Sequence, residues 1–209
     1  MLRSCLFSVI IITSTLAVLN GELINGPMIA HLEMREAKIW LQSTSPSIAR
    51  VAYTAKGDDS PPTWSDPIQT DGNNGHTAVV TLDKIEPDQS YSYRVEINGE
   101  IVSTLATFHS PSNYKERAPA PDFKIAVGGA HYMIEDGYEP PYRILGGGYD
   151  IFTSIAKAEP ALMIWTGNTA HLRSSDWGSK SGYQKRFSIA RSTPQLQPLL
   201  SKIPHYAVW

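Results

Sequence analysis

The chain is poor in cysteine. Its 209 residues carry one, Cys5, inside the apolar run at the N-terminus. A mature exported form would therefore hold no disulfide, and each folding unit would rest on its own hydrophobic core. An excess of charge is lacking too: 18 Lys+Arg stand against 20 Asp+Glu, a net charge of -2. That balance excludes a basic surface of the kind that tracks nucleic acid. With 42% hydrophobic and 18% charged residues, the composition excludes a disordered chain. There is no Asn-x-Ser/Thr glycosylation sequon. Gly146–Gly147–Gly148 lacks the Gly-Lys-Ser/Thr ending of a phosphate loop and reads as a flexible loop before a helix. What is plentiful is punctuation: 15 Gly and 15 Pro imply many turns and argue against a helical bundle.

The first residues have the order of a secretory signal peptide over 1–21. Met1–Leu2–Arg3 is a short basic start, Leu6 to Leu19 is apolar apart from small hydroxyl residues, and Ala17 and Gly21 are small. The apolar run falls short of the roughly 20 residues a membrane span needs, so an uncleaved anchor is the weaker alternative. Cys5 lies too early for a lipidated mature N-terminus. The expected location is secreted or periplasmic, with no transmembrane span after cleavage.

The remainder divides at a stretch rich in Pro, Ser and charge, residues 110–122, which reads as a linker. Before it, residues 22–109 read as all-β. The runs 37–42, 49–54, 77–82, 91–96 and 101–108 alternate apolar and polar residues, as half-buried antiparallel strands do. Asn98–Gly99 is a two-residue hairpin signal, and Asp71 to Gly75 is another turn. The pattern Leu82-x-x-Ile85-x-Pro87-x-x-x-Tyr91-x-Tyr93-x-Val95 resembles a fibronectin type III sandwich, with a Tyr making a corner at the start of a late strand. Trp40 is expected in the sandwich core and Trp64 over its edge. The unit is expected to play a structural role, packing against or spacing the second half of the chain.

Residues 123–209 change grammar. Phe123 to Val127 is a short apolar strand ending in Gly128–Gly129. Residues 150–158 place Ile151, Phe152, Ile155 and Ala156 on one helical face, ended by Pro160. Ala161 to Trp165 is a second strand, Gly182 to Arg191 a helix, and Thr193–Pro194 a cap with Pro at the first position of another. His205 to Trp209 is a third strand. This order is α/β, and in such folds ligands gather in loops beyond the carboxyl ends of the strands. The loops are Gly128–Gly129–Ala130–His131 and Gly167–Asn168–Thr169–Ala170–His171. Glu135, Asp136, Arg173 and Asp176 read as solvated loop charges.

The segments Phe123-Lys-Ile-Ala-Val-Gly128, Tyr149-Asp-Ile-Phe-x-Ser-Ile-Ala, Pro160-Ala-Leu-Met-Ile-Trp-x-Gly167, Asp176–Trp177, Thr193-Pro-Gln-Leu-Gln-Pro-Leu-Leu200 and Ile203-Pro-His-Tyr-Ala-Val-Trp209 resemble the PhoD-like alkaline phosphatases and phosphodiesterases. The resemblance implies a fibronectin type III-like β-sandwich followed by the N-terminal part of an α/β metallophosphatase (calcineurin-like) layer over 123–209. It also implies metal-dependent hydrolysis of phosphate mono- and diesters at a di-metal centre of iron and calcium or similar divalent ions. Members carry a Cys ligand after the first strand, a bridging Asp and a ligating Tyr after the second, and an Asp-Asp-His-Asp motif after the third. Here those positions hold Ala130, Asn168 and His171, and the chain ends at Trp209 before the third motif. The replacement set of metal donors is Asn168, His171 and His131, and Arg173 is the candidate for a phosphate.

Three functions are compatible with these residues. In the first, the chain is an exported, truncated and ligand-poor relative of these hydrolases, inactive alone and binding no metal, with phosphate esters as substrates only if activity persists. In the second, it is part of an active enzyme whose remaining half lies on a missing or separate chain. In the third, it is a non-enzymatic exported protein that binds a protein or glycan through the sandwich or a vacant pocket.

Overall fold

The computed structural model describes residues 21–135, 137 and 148–208. The expected signal segment up to residue 20, Asp136, Gly146, Gly147 and Trp209 lie outside the described residues.

The first half is a β-sandwich. One sheet joins β1 (Leu23–Leu32), β2 (Ala37–Ser43) and β6 (Thr77–Leu82), all antiparallel. The facing sheet is built on β3 (Ile48–Ala55) and β7 (Ser90–Ile97), which pair over seven registered positions from Ala49↔Ile97 to Ala55↔Tyr91. Short β4 (Thr63–Trp64), β5 (Ile68–Gln69), β8 (Glu100–Ile101) and β9 (Ala106–His109) extend that second sheet. Period-two alternation supplies the core. Val51, Tyr53, Tyr93, Val95 and Ile97 meet Ile29, Ile39, Leu41, Val80 and Leu82 across the sandwich, all almost fully buried. Glu96 points the other way and pairs with Arg50.

The turn chemistry matches the expectation. Asn98 and Gly99 both take positive φ, 52° and 91°, the signature of a two-residue hairpin between β7 and β8. Asp71 accepts from the Asn73 amide and caps a single helical turn at Gly72–Asn74. The Tyr91 hydroxyl accepts from the Glu86 amide at 2.8 Å, so the tyrosine corner is present.

Three expectations are corrected. The run 101–108 is two strands, β8 and β9, with a break between them. Residues 23–32 form a long strand that no alternating run marked, because register shifts around Asn25 and Met28 interrupt the period. Trp40 is not a sandwich-core residue. It lies on the opposite face of β2 from Ile39 and Leu41, under the Arg191 guanidinium. Trp64 sits at the sheet edge beneath Arg50, 4.0 Å from its guanidinium carbon.

The second half is a parallel sheet in the order β10 (Ile125–Gly128), β11 (Leu162–Trp165), β12 (His205–Ala207). Helix α1 (Asp150–Lys157) crosses from β10 to β11, and α2 (Lys180–Arg191) with α3 (Gln197–Leu200) leads to β12. Phe152, Met163, Trp165, Leu196, Leu199, Leu200 and Ile203 form its core. Ile151, expected on the same face as Phe152, is 62% exposed, because only Phe152, Ile155 and Ala156 face the sheet. Thr193 makes no side-chain cap; Pro194 instead opens a single 3-10 turn.

The halves are packed together. Met28 of β1 joins the second core. Asn25 Nδ2 donates to Ser188 Oγ at 2.7 Å, and the Tyr93 hydroxyl donates to the Ser201 carbonyl at 2.7 Å. Among the described residues no helix is long and apolar enough to cross a membrane.

Candidate functional site

Parallel pairing brings the exits of β10 and β11 to the same edge of the sheet. The two loops there are stitched backbone to backbone. The Ala130 amide donates to the Gly167 carbonyl at 3.3 Å, His131 to Asn168 at 3.2 Å, and His171 to His131 at 3.1 Å. β12 joins the same edge, with the Val208 amide on the Trp165 carbonyl at 2.9 Å. Gly129 passes so close to β11 that a Cβ there would lie 2.8 Å from the Gly167 carbonyl oxygen. Ala130 and Asn168 both take left-handed φ, 55° and 47°.

The side chains the sequence singles out have different fates. His131 turns inward and is 6% exposed. Its ring meets Phe152 edge-on at 4.9 Å and Tyr149 at 5.6 Å, and stacks on Trp165 at 6.2 Å. Neither ring nitrogen has a partner among the described residues, and burial pushes its pKa down, which keeps it neutral. Asn168 and His171 stand outside: Asn168 Nδ2 lies 3.5 Å from His171 Nδ1, and the His171 ring packs 5.0 Å from Tyr132. Arg173 is drawn sideways. Its Nε lies 3.0 Å from Glu135 Oε2, and its Nη2 donates to the Met133 carbonyl at 3.2 Å.

That pairing belongs to a network the sequence did not foretell. Arg186 of α2, 2% exposed, donates through Nη1 to Glu135 at 2.6 Å and through Nε to Asp176 at 2.7 Å. The Arg186 hydrogen bond, opposed in part by burial, holds the Asp176 carboxyl below the usual range. Glu135, Arg173 and Asp176 are therefore not solvated loop charges but members of a largely buried ion cluster beneath the loops. Nothing in the spacing of Arg186 marks it, since a buried arginine on a helix differs from a solvated one only by what packs against it.

The donor set does not fit a two-metal centre. Ala130 offers no donor atom. Asn168 offers a neutral carbonyl oxygen, which cannot bridge two cations as a carboxylate does. His131 is enclosed by rings. Among the described residues, no three His, Cys, Asp or Glu side chains converge on a point that could hold an ion. What the edge can do chemically is present one amide, one imidazole and backbone dipoles, with its arginine charge already neutralised.

A family model described as a domain of unknown function (DUF7800) matches residues 20–115. No curated protein shows a sequence match to this chain. Among solved structures, one described as the structure of PhoD superposes with a TM-score of 0.66 at 15% identity, over 87% of this chain and 37% of that one. This chain thus spans well under half the length of the PhoD structure, and at this identity the likeness is one of fold. A sensor domain of the anti-sigma factor RsgI4 in Pseudobacteroides cellulosolvens matches 46% of this chain and 99% of its own, at a TM-score of 0.36 and 17% identity. That score is too low to carry an argument.

Proposed function

We propose that the chain is an exported relative of the PhoD-like metallophosphatases whose first two loops no longer support phosphoester hydrolysis. One observation carries this: the loops at 128–131 and 167–171 keep the placement at the carboxyl edge of a parallel sheet, yet they present Ala130, Asn168 and His171 where the family resemblance calls for a thiolate, a bridging carboxylate and a phenol. A metal-activated water needs the metal, so the loss removes nucleophile and charge clamp together. The proposal concerns these loops and holds whatever sequence accompanies them.

The test is to purify the full chain and assay aryl phosphate and bis-aryl phosphodiester hydrolysis with calcium, iron, manganese or zinc. No chelator-sensitive turnover is the expected result. Turnover that a chelator abolishes, and that Asn168→Ala removes, overturns the proposal and revives a His131, Asn168 and His171 site. The alternative, a non-enzymatic exported binding protein, is favoured by a cavity between the two halves that is lined by cations and aromatic rings.

A further inference from the structure

That cavity lies along α2, on the face away from the buried ion cluster. Lys180, Tyr183, Gln184, Phe187 and Arg191 recur at helical intervals of three and four and face a space of about 780 Å³. The outer face of β2, with Trp40, forms the opposite wall. Small-molecule sites occupy about 300–1,000 Å³ and favour the junction of two units.

Its charge is one-sided. Lys180 and Arg191 line the space, and among the described residues no Asp or Glu does. Asp71 and Asp176, which adjoin lining segments in sequence, are engaged elsewhere, the first with the Asn73 amide and the second with Arg186. The Arg191 guanidinium lies 4.3 Å from the Trp40 ring centre and 5.4 Å from that of Phe187. Stacking in this way leaves the in-plane N–H donors directed sideways. Among the described residues no acceptor receives them, and burial lowers the Arg191 pKa to about 10. His205, which feels the same charge, is held neutral. A partly desolvated cation without a counter-charge is costly unless something supplies one.

The geometry points to a binding site for a small organic anion: a carboxylate, sulfonate or phosphate joined to an aromatic or other planar apolar body. The oxyanion meets the Arg191 fork, and the apolar body lies along Tyr183 and Phe187. The site borders the loop at 167–171 through Thr169 but uses none of Ala130, His131, Asn168 and His171.

The experiment uses the full chain and two fluorescent probes of similar shape, anilinonaphthalene sulfonate and the uncharged phenylnaphthylamine. The expected result is that the sulfonate binds about tenfold tighter, as one charge-assisted pair would produce. Amide shifts on binding should fall at Thr169, Tyr183 and Gln184. Arg191→Gln should abolish the preference for the sulfonate, and Arg191→Lys should retain part of it. Lys202→Gln, which alters a different crevice, should leave binding unchanged. If Arg191→Gln fails to fold, the two probes on the unmodified chain still decide. Equal affinity for both probes overturns the proposal, as do amide shifts at Tyr114 and Phe123 in the other crevice.

Discussion

The His131 amide donates to the Asn168 carbonyl at 3.2 Å, so the loop after the first parallel strand and the loop after the second form one unit. Ala130, which precedes His131, and Asn168 both hold left-handed backbone. Asn and Asp visit that region far more readily than other residues with a Cβ. Replacing Asn168 by Asp therefore keeps the backbone while introducing a carboxylate.

The triple variant Ala130→Cys, Asn168→Asp, His171→Tyr is expected to fold and to bind a divalent cation more tightly than the unmodified chain. It is not expected to hydrolyse an aryl phosphate, because a thiolate, a carboxylate and a phenol make only part of a two-metal shell. Calorimetric titration with manganese beside a chelator-controlled assay checks both halves. Substantial turnover would show that these loops alone suffice.

Arg186 bonds Glu135 and Asp176 from a position that is 2% exposed. Arg186→Met should leave the buried Asp176 without its cation, while Glu135 keeps Arg173, and cost about 3–5 kcal/mol. Arg173 does not take over at Asp176, since its Nε is directed to Glu135 and its backbone amide is what donates to Asp176. Urea unfolding measures the loss. A cost below about 1 kcal/mol would mean that the cluster behaves as exposed pairs do.

His205 couples folding to pH. Burial, aided by the Arg191 charge and opposed by the Leu199 carbonyl, lowers its pKa from 6.5 to about 4. The Trp165 indole donates to Nδ1 at 3.0 Å, and Nε2 lies 3.2 Å from the Leu199 carbonyl, an arrangement that suits the neutral ring. Because the folded pKa is depressed for a base, the unfolded chain takes up a proton first. Stability is complete above about pH 6.5 and falls as pH drops toward about 4, by on the order of 3 kcal/mol. His131 shifts in the same direction. Thermal unfolding between these limits should show a shallower pH dependence in His205→Gln, whose amide can keep both hydrogen bonds. Equal slopes would remove His205 from this role.

Tyr91→Phe deletes the acceptor for the Glu86 amide while leaving the ring stacked on Phe108 at 5.3 Å. The expected cost is about 1–2 kcal/mol, from a buried hydrogen bond lost at a loop that closes the sandwich. Denaturant midpoints at constant slope would measure it. A neutral result would show that water replaces the phenol oxygen.

The parts of the fold written locally were legible. Alternation marked β2, β3, β6 and β7, since a strand's faces are set by parity along the chain. Asn98–Gly99 marked its hairpin because both residues tolerate positive φ. The loops at 128–131 and 167–171 were legible as one edge, since parallel strands with short crossovers leave their carboxyl ends side by side. Trp40 was misplaced because parity says which residues share a face of β2 but not which face meets the second half. Ile151 was misplaced because helical periodicity gives the apolar stripe but not which of its residues the core reaches: Phe152, Ile155 and Ala156 join it and Ile151 does not.

What the sequence determined by itself is the order of elements, the turns, and the chemical poverty of the two loops, because each of these depends on residues near one another in the chain. Tertiary structure alone decided that His131 is enclosed while His171 is open, that Arg173 is held by Glu135, that Arg186 is buried between two carboxylates, and that Arg191 lies on Trp40 with no counter-ion among the described residues. The physical reason is that charge and exposure depend on neighbours: Arg186 and Glu135 are 51 positions apart, and no local pattern encodes how two distant segments face each other once packed.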